Sequence, residues 1–492
     1  MTSPHFSPSP SSQSECCAGG GTRAARAMAP VYSSVLDMIG NTPMLEFTKL
    51  DAGKCRLFGK LELMNPASSI KDRIGLEMIE AAEKDGRLDP NGHPKPTIIE
   101  GTAGNTGLGL ALVAGQRGYR LKVVMPDKMS QEKIQHLRAM GAEVVLTRSD
   151  VQKGHPQYYQ DVAERIAKET PNSLYINQFS NPDNIRAHYE TTGPEIWAQL
   201  ESIGERVDAF VAGVGTGGTL TGVGRYLREK NPDVKLILSD PAGSILHPLV
   251  NEGKKVEPGA WLIEGMGEDF VPDVCDLSLV DEAIAVTDRQ AFHAARLLLR
   301  REGLLAGSST GALLHASLEW CTKQTKPMNV VTLVCDTGGK YLSKMFNDHW
   351  MIDNGFIERP QRNDLGDLVA RRHEENEDYT LSEDDTLTVA IKRFQLYGIS
   401  QMVVLGPKRS VAGIIDESDI LLAVTKDEDV FGRPVSDFMT RRLETIRADK
   451  SVEDLMPIFR ADRVAIVVDG SGKYVGLITK IDLINYLRRK LV

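Results

Sequence analysis

Between about residues 31 and 356, the chain alternates short apolar runs of strand length with longer runs of helical periodicity. "LKVVMP" (121–126) predicts a strand, "SQEKIQHLRAMG" (130–141) predicts a helix that ends at its glycine, and "AEVVLT" (142–147) predicts the next strand. The stretch "TIIEGTAGNTGLGLALVAGQRG" (97–118) repeats the order strand, glycine turn and helix. This alternation predicts an α/β domain with mostly parallel sheets, whose ligands bind at the carboxyl ends of the strands.

The last third of the chain is an internal duplication. Apolar residues at i, i+3, i+4 and i+7 begin each copy, in residues 387–394 and again in 452–459. A β-rich run follows in both copies, and then "GIIDESDIL" in the first and "GLITKIDLI" in the second, 63 positions further on. Two copies of a β-α-β-β-α module are therefore predicted, over residues 380–427 and 434–492.

Two segments lack such periodicity. Residues 1–30 are rich in serine, proline and glycine, and we expect a disordered tail because they cannot bury enough surface to offset the entropy of ordering. A transit peptide is the alternative, since two arginines accompany a single acidic residue there. Residues 360–379 are strongly charged, which predicts a solvated linker between a domain of residues 31–359 and the duplication.

Composition and charge restrict the function classes. The chain has 492 residues, more than one hydrophobic core usually supports, so two or three domains are expected. A net charge of −9 gives no reason to expect nucleic acid or an anionic membrane as a partner, and no apolar stretch reaches the roughly 18 to 20 residues that span a bilayer. The six cysteines show no C-x-x-C pair and no metal-type pairing with histidine, which predicts a cytoplasmic protein without a metal site.

Three glycine-containing turns in the large domain carry candidate chemistry. "GTAGNTG" (101–107) and "GSSTG" (307–311) precede helices, and "GTGGT" (215–219) offers successive backbone amides and two hydroxyls to a phosphate. The turn "GTGGT" overlaps a G-x-G-x-x-G pattern that begins at Gly213 and is followed by Asp240, which is typical of a dinucleotide site. Each turn alone is equally well a tight turn without a ligand, but three of them in one domain favour a pocket.

A lysine stands at the predicted start of a helix in "NPASSIKDRIGLEMI" (65–79). A lone lysine is usually a surface charge, but the positive end of a helix opposes protonation of Lys71. A neutral amine is what Schiff-base chemistry requires, so Lys71 is a candidate nucleophile.

Taken together, "SSIKDR", "GTAGNTG", "GTGGT" and "GSSTG", in this order, resemble the fold-type II pyridoxal-phosphate β-replacing enzymes. The resemblance covers about residues 31–356, and "DPAGSIL" (240–246) and "EGMGEDFVP" (264–272) are similar to its cystathionine β-synthase branch rather than to the O-acetylserine sulfhydrylases. The duplication resembles the tandem regulatory (Bateman) pair of many such synthases. The implied fold is a catalytic domain of two open, mostly parallel sheets with helices, followed by the two regulatory modules.

The resemblance implies a role for each matching residue. Lys71 would hold pyridoxal phosphate covalently and act as the base at Cα, Asn105 would hydrogen-bond the ring hydroxyl, and Ser309 would face the pyridine nitrogen. The cofactor phosphate would be bound by the residues of one turn: Gly215, Thr216, Gly217, Gly218 and Thr219. The substrate would be bound by another set: Thr102, Ala103, Asn105, Thr106 and Gln178. The dinucleotide pattern is then a look-alike, and Asp240 is not a ribose ligand.

The implied reaction is β-replacement, in which the thiol of L-homocysteine replaces the hydroxyl of L-serine and gives cystathionine; with sulfide the product would be cysteine. A cysteine synthase that uses O-acetylserine is the alternative, which the C-terminal pair disfavours. Phe179, where many eukaryotic synthases have tyrosine, and Ala103, where serine is commoner, leave the substrate preference open. No histidine lies between Cys16 or Cys17 and the catalytic domain, so haem is not expected. A serine/threonine dehydratase and a nucleotide-sensing scaffold with a degenerate enzyme domain are further alternatives.

The regulatory pair carries its own candidate site. Nucleotide-binding repeats of this kind place Ser or Thr three residues before an Asp, as Thr479 and Asp482 do in the second copy. The first copy has Asp416 and Asp419, and a carboxylate at the first of these positions would repel a phosphate. The resemblance therefore implies S-adenosylmethionine, which has no phosphate, as the effector. It also implies that the protein is a homodimer. A purely structural role for the pair is the alternative.

Overall fold

The computed structural model describes residues 30–102 and 104–491. Residues 1–29, which make up nearly all of the predicted tail, and Ala103 lie outside the described residues. Within the described part, sixteen strands form four sheets, two in the domain of residues 31–359 and one in each copy of the duplicated module. Among the helices described, none has the length and apolar character that crossing a membrane requires.

The strands are β1 (Met44–Glu46), β2 (Arg56–Lys60), β3 (Thr97–Gly101), β4 (Arg120–Pro126), β5 (Glu143–Thr147), β6 (Ser173–Tyr175), β7 (Ala209–Gly213), β8 (Lys235–Pro241), β9 (Glu282–Val286), β10 (Asn329–Leu333), β11 (Thr380–Ser382), β12 (Gln401–Leu405), β13 (Val411–Asp416), β14 (Thr445–Arg447), β15 (Ala465–Val468) and β16 (Tyr474–Ile478).

The α-helices are α1 (Lys71–Lys84), α2 (Asn105–Arg117), α3 (Gln131–Ala139), α4 (Tyr159–Glu169), α5 (Asp183–Ala187), α6 (Gly193–Glu201), α7 (Gly218–Lys230), α8 (Leu246–Glu252), α9 (Asp288–Glu302), α10 (Ser308–Thr322), α11 (Asp348–Asp353), α12 (Leu387–Tyr397), α13 (Glu417–Val424), α14 (Met456–Arg460) and α15 (Lys480–Leu491).

The domain of residues 31–359 contains two open sheets. In the larger one the strands lie in the order β1-β2-β10-β7-β8-β9, and every pair except β1 with β2 is parallel. The smaller sheet has the order β5-β4-β3-β6 and is parallel throughout. Strands β3 and β10 are buried along their whole length, and the polar residues Glu100 and Thr332 in them are hydrogen-bonded within the fold. The predicted α/β architecture is confirmed.

The predicted duplication is also confirmed. Each module forms a three-stranded sheet with one parallel and one antiparallel pair, β11-β12-β13 in the first and β14-β15-β16 in the second. The register shifts at the same place in both, between Val404 and Leu405 and between Val467 and Val468. The first helix differs, since α14 is short and follows a 3-10 turn; Pro457 lacks the amide that would continue an α-helical ladder through this turn.

Residues 360–379 do not form the solvated linker that their charge predicts. Leu365, Leu368 and Val369 are buried in the core of the second module. Arg372 is buried as well, and its guanidinium pairs with carboxylates of the same segment. The prediction of a solvated segment is wrong because three apolar residues at i, i+3 and i+4 anchor it, and the surrounding charges hide that spacing.

We expect Leu368→Ala to lower the free energy of unfolding of the second module by about 2–5 kcal/mol, because it leaves a cavity in a close-packed core. Leu396→Ala is the matched control, since the Leu396 side chain lies on the surface of the first module and is 74% exposed. Denaturant unfolding of the full chain measures both variants. Equal losses in the two variants would contradict an anchoring role for this segment.

Candidate active site

A cleft of about 700 Å³ lies between the carboxyl ends of the two catalytic-domain sheets. It is lined by the candidate lysine, by Gln178 and by residues of all three glycine turns. These residues are Lys71, Thr102, Asn105, Thr106, Gln178, Gly215, Thr216, Gly217, Thr219 and Ser309. Gly218 lies behind this wall as the first residue of α7. The candidates Thr479 and Asp482 are not part of the cleft, since they lie at the start of α15 in the second module.

Four helices begin at this cleft: α1, α2, α7 and α10. In the part of the chain that the structure describes, none of their N-cap residues makes a side-chain capping hydrogen bond, although at α1 the hydroxyl of Ser69 accepts from the amide of Lys71. The first backbone amides of a helix have no partner within it, and the helix dipole adds partial positive charge at the same end. The cleft is therefore built to hold anionic groups, such as a carboxylate and a phosphate.

The turn before α7 accepts only glycine at its tightest points. Gly217 has a φ of +88°, and a Cβ atom there would lie 2.3 Å from the Cβ of Cys275. A Cβ on Gly215 would lie 2.6 Å from the carbonyl oxygen of Gly265. The backbone can approach a ligand closely here because no side chains intervene.

Two buried side chains support this turn from behind. Asn184 donates a hydrogen bond from Nδ2 to the hydroxyl of Thr216 over 2.9 Å, and His188 Nε2 lies 3.0 Å from the hydroxyl of Thr219. Burial lowers the pKa of His188 well below its usual value, and the charges of Lys71 and Arg73 act in the same direction. Sequence reasoning missed Asn184 as a site residue, although its i, i+4 spacing from His188 places both on one helix face.

Asn105 is fixed by two charged residues. Its Nδ2 donates to Asp336 over 2.8 Å, and its Oδ1 accepts from the Nζ of Lys340 over 3.1 Å. Tyr341 also donates to Asp336, over 2.7 Å. An asparagine amide has two N–H donors, so one remains for a ligand in the cleft. Asp336 lies in the loop after β10 and Lys340 in the 3-10 turn that follows it, and no sequence motif indicates a role for either residue.

Lys71 lies at the first position of α1, with its side chain on the cleft. Burial lowers the pKa of its amine, against the opposing influence of Cys335, Glu268 and Asp336. Ser309 lines the same cleft and interacts with the Cys335 thiol. A lysine whose pKa is lowered in this way is more readily neutral and nucleophilic.

The first turn is held by a short chain of hydrogen bonds. Thr106 donates from its hydroxyl to Gln178 over 2.7 Å, and Gln178 donates to the carbonyl of Gly101 over 3.3 Å. Behind it, the carboxyl of Glu100 accepts from the backbone amides of Asn177 and Gln178. Burial raises the pKa of Glu100 to about 8, since these amides offset only part of the cost of burying its charge.

This shift gives a pH-dependent stability with a definite sign. The folded-state pKa of Glu100 lies above its unfolded value, so its contribution is fully present at low pH and is lost as the pH rises toward 8. We expect Glu100→Gln to weaken the fall of unfolding free energy between pH 5 and pH 8. Glu201→Gln, at an exposed carboxyl of α6, should follow the unmodified chain. A Glu100→Gln profile parallel to that of the unmodified chain would contradict the shift.

Asp240 occupies a position unlike that of a ribose ligand. Its buried carboxylate accepts a hydrogen bond from the backbone amide of His247 over 2.8 Å, at the start of α8. Asp240, which completes the dinucleotide pattern in the sequence, therefore stabilises the start of α8, the helix between β8 and β9.

The candidate residues of the regulatory modules are paired with each other. Thr479 donates from both its amide and its hydroxyl to the carboxylate of Asp482 at the start of α15. Asp416 and Asp419 form a capping box at the start of α13. The aspartate that stands in place of a threonine in the first module thus acts as a helix cap there. In residues 30–102 and 104–491, no cluster of His, Cys, Asp and Glu could hold a metal ion.

Comparisons with known proteins match both halves of this arrangement. The family model described as pyridoxal-phosphate dependent enzyme matches residues 35–336, and the CBS domain model matches residues 373–426 and 435–489. A cystathionine β-synthase of Dictyostelium discoideum is 34% identical over 482 residues, which cover 93% of each chain. A cystathionine β-synthase of Apis mellifera is 40% identical over 338 residues, 68% of this chain and 65% of the relative.

A solved structure shares the fold of the catalytic domain. The crystal structure of a hydrogen sulfide-producing enzyme from Fusobacterium nucleatum superimposes with a TM-score of 0.58 at 41% sequence identity. It covers 63% of this chain and 100% of that chain, so the match is to a protein of the size of the catalytic domain.

Proposed function

We propose that this chain, which belongs to the cystathionine β-synthase family of pyridoxal-phosphate dependent enzymes, joins L-serine and L-homocysteine into cystathionine and water. The observation that carries this proposal is the match to a cystathionine β-synthase over 93% of the chain, which includes the cleft and the tandem CBS domains together. This one function accounts for the Lys71 amine, for the three turns and for the two C-terminal modules.

The residues of the cleft fit pyridoxal phosphate. The turn of residues 215–219 leads into the uncapped start of α7, which suits a phosphate, and Lys71 supplies an amine whose pKa is lowered by burial. Asn105 has one N–H left for the ring hydroxyl, and Ser309 would offer a neutral hydroxyl to the pyridine nitrogen. When bound, pyridoxal phosphate withdraws electrons from Cα of an amino acid and so supports loss of the Cα proton and of the β-substituent.

The residues of the first turn would bind and orient L-serine. The hydroxyl of Thr102 and the free amides at the start of α2, including that of Thr106, would hold its carboxylate, and Ala103 belongs to the same turn. Gln178 fixes Thr106 through their hydrogen bond and so sets the position of the turn.

Lys71 would move the proton at Cα. It takes the Cα proton of L-serine as a general base and returns it to Cα after the thiol has added at Cβ. The neutral hydroxyl of Ser309 would leave the pyridine nitrogen unprotonated, which favours prompt loss of the β-substituent over a long-lived carbanion.

A substrate comparison tests the proposal against cysteine synthesis. We expect the chain loaded with pyridoxal phosphate to form cystathionine from L-serine and L-homocysteine faster than it forms cysteine from O-acetylserine and sulfide, both measured by mass spectrometry. The fold shared with a hydrogen sulfide-producing enzyme makes sulfide the necessary comparison. Cysteine as the sole product, formed only from O-acetylserine, would instead establish the cysteine synthase alternative.

We also propose that the chain acts as a cytoplasmic homodimer without haem, with S-adenosylmethionine bound near Thr479 and Asp482. Exposed apolar side chains on α13 and α15 support an association of two copies: Leu421, Leu422, Ile481 and Ile484. Asp416 in the first module favours an effector without a phosphate. Calorimetric titration with S-adenosylmethionine and with ATP separates these effectors, and a binding signal with ATP alone would contradict the assignment.

A further inference from the structure

Two neighbouring carboxyl groups in the cleft, those of Glu268 and Asp269, have no side-chain partner among the described residues, and Glu268 is the more buried of the two. Glu268 lies in "EGMGEDF" (264–270), lines the cleft and is only 9% exposed. Its backbone is held, since its amide donates to the hydroxyl of Ser244 and its carbonyl accepts from Ser244 and from the amide of Ile245. Its side-chain carboxyl makes no hydrogen bond or ion pair with any residue that the structure describes.

The carboxyl oxygens of Glu268 are accessible from the cleft, because neither is among the buried side-chain atoms of the described residues that lack a hydrogen-bond partner. Most buried polar groups in folded proteins are paired, so an unpaired acid on the cleft wall keeps its hydrogen-bonding capacity for a ligand. Ordinary packing does not require an acid here, because a glutamine or an apolar side chain would fill the same space. An unpaired acid on the wall of a reactive cleft is therefore a candidate for the chemistry in that cleft.

The surroundings of Glu268 connect it to the reacting end of the cleft. Lys71, Tyr158 and Tyr159 line the same cleft, and all three interact electrostatically with the Glu268 carboxyl. The other charged groups that act on it are Asp269, Lys153, Asp240 and Lys128. Burial raises the pKa of Glu268 well above its usual value, which favours the protonated form of this carboxyl.

The proposed reaction needs two further proton transfers at Cβ. The hydroxyl of L-serine is a poor leaving group unless it receives a proton as its bond to Cβ breaks. The thiol of L-homocysteine must lose its proton as sulfur bonds to Cβ, because the thiolate is the nucleophile. A second acid in the cleft would handle the protons at Cβ and leave Lys71 to carry the Cα proton and return it to Cα.

We propose, resting on the proposed function, that Glu268 is the catalytic acid and base at Cβ. Glu268 donates its proton to the β-oxygen of L-serine as the Cβ–O bond breaks, and the electron pair of that bond leaves with the oxygen as water. The Glu268 carboxylate then takes the proton of the homocysteine thiol as the S–Cβ bond forms. Glu268 ends the cycle protonated, as it began, so atoms and protons balance without another reactant.

The leaving group provides the test. Glutamine in Glu268→Gln has nearly the same size but cannot transfer the proton, and acetate leaves from O-acetyl-L-serine without being protonated. After mixing the loaded full chain with donor alone, we expect the change in cofactor absorbance to be about 100-fold slower or more with L-serine in this variant. With O-acetyl-L-serine the same step should stay close to the rate of the unmodified chain.

The control is Glu257→Gln, an exposed glutamate of the same connecting segment that does not line the cleft. It should behave as the unmodified chain with both donors, and cofactor absorbance checks that Glu268→Gln is folded and loaded. Equal slowing with both donors, no slowing with either, or a raised KM for L-homocysteine alone would overturn the role of Glu268. If the unmodified chain forms no cystathionine from L-serine, the proposed function fails and this role with it.

Discussion

Lys71→Ala is expected to form cystathionine about 1,000-fold more slowly than the unmodified chain, or more slowly still. The substitution removes both the amine that would hold the cofactor and the base that moves the Cα proton. The remaining residues of the cleft keep their contacts, because α1 is anchored by other buried side chains such as Ile74 and Met78. Product formation with saturating L-serine and L-homocysteine, followed by mass spectrometry, measures the loss.

Lys84→Ala is the matched control for this variant. Lys84 is the last residue of the same helix and is exposed, so the change should leave activity unaltered. Thermal unfolding of both variants shows whether the fold is retained. More than a tenth of the original activity in a folded Lys71→Ala variant would contradict the role of this lysine.

Gly217→Ala is expected to lose bound pyridoxal phosphate and to lower the unfolding free energy by about 2–4 kcal/mol. An alanine there needs a φ of +88°, which L side chains rarely adopt, and its Cβ would lie 2.3 Å from the Cβ of Cys275. The turn would have to open, and the amides at the start of α7 would lose their common direction toward a phosphate. Cofactor absorbance after gel filtration, together with denaturant unfolding, measures both effects.

Gly115→Ala separates this effect from any general cost of replacing a glycine. Gly115 lies in α2, where a Cβ would meet no atom within 4 Å, and alanine favours helix. This variant should keep its cofactor and be as stable as the unmodified chain or slightly more so. Full cofactor retention by Gly217→Ala would show that the turn is not the phosphate site.

The parts of the site that sequence predicts are local. Lys71 at a helix start and the three glycine turns can be recognised because a turn that meets a phosphate needs small residues in consecutive positions. The supporting contacts are not local: Asn105 and Asp336 are hydrogen-bonded across 231 positions of the chain. Nothing in the residues next to Asp336 indicates that contact, so only the folded arrangement reveals it.

Glu268 illustrates the same limit in another way. Its segment "EGMGEDF" is visible in the sequence, but an acidic residue in a loop is usually solvated. Its function depends on burial, on the absence of a side-chain partner among the described residues and on a place in the same cleft as Lys71, which are three properties of the fold.

The regular elements of the fold are easier to predict from sequence than the burial of the segments that connect them. Apolar periodicity predicts the strands β3, β4 and β5, the helices α2 and α3 and the repeat, because burial in a sheet core dictates residue type over many positions. It failed in the segment of residues 360–379, where Leu365, Leu368 and Val369 were outweighed by charged neighbours. Three apolar residues suffice to dock a segment, but composition averaged over twenty residues does not reveal them.

Absorbance of the purified full chain, before and after additions of L-serine and then of L-homocysteine, decides whether Lys71 and the cleft carry out β-replacement. We expect a violet-region band of bound pyridoxal phosphate that shifts when L-serine is added and returns when L-homocysteine is added, with cystathionine released. A protein that shows no such band even after addition of pyridoxal phosphate, or a band that L-serine leaves unmoved, would contradict it.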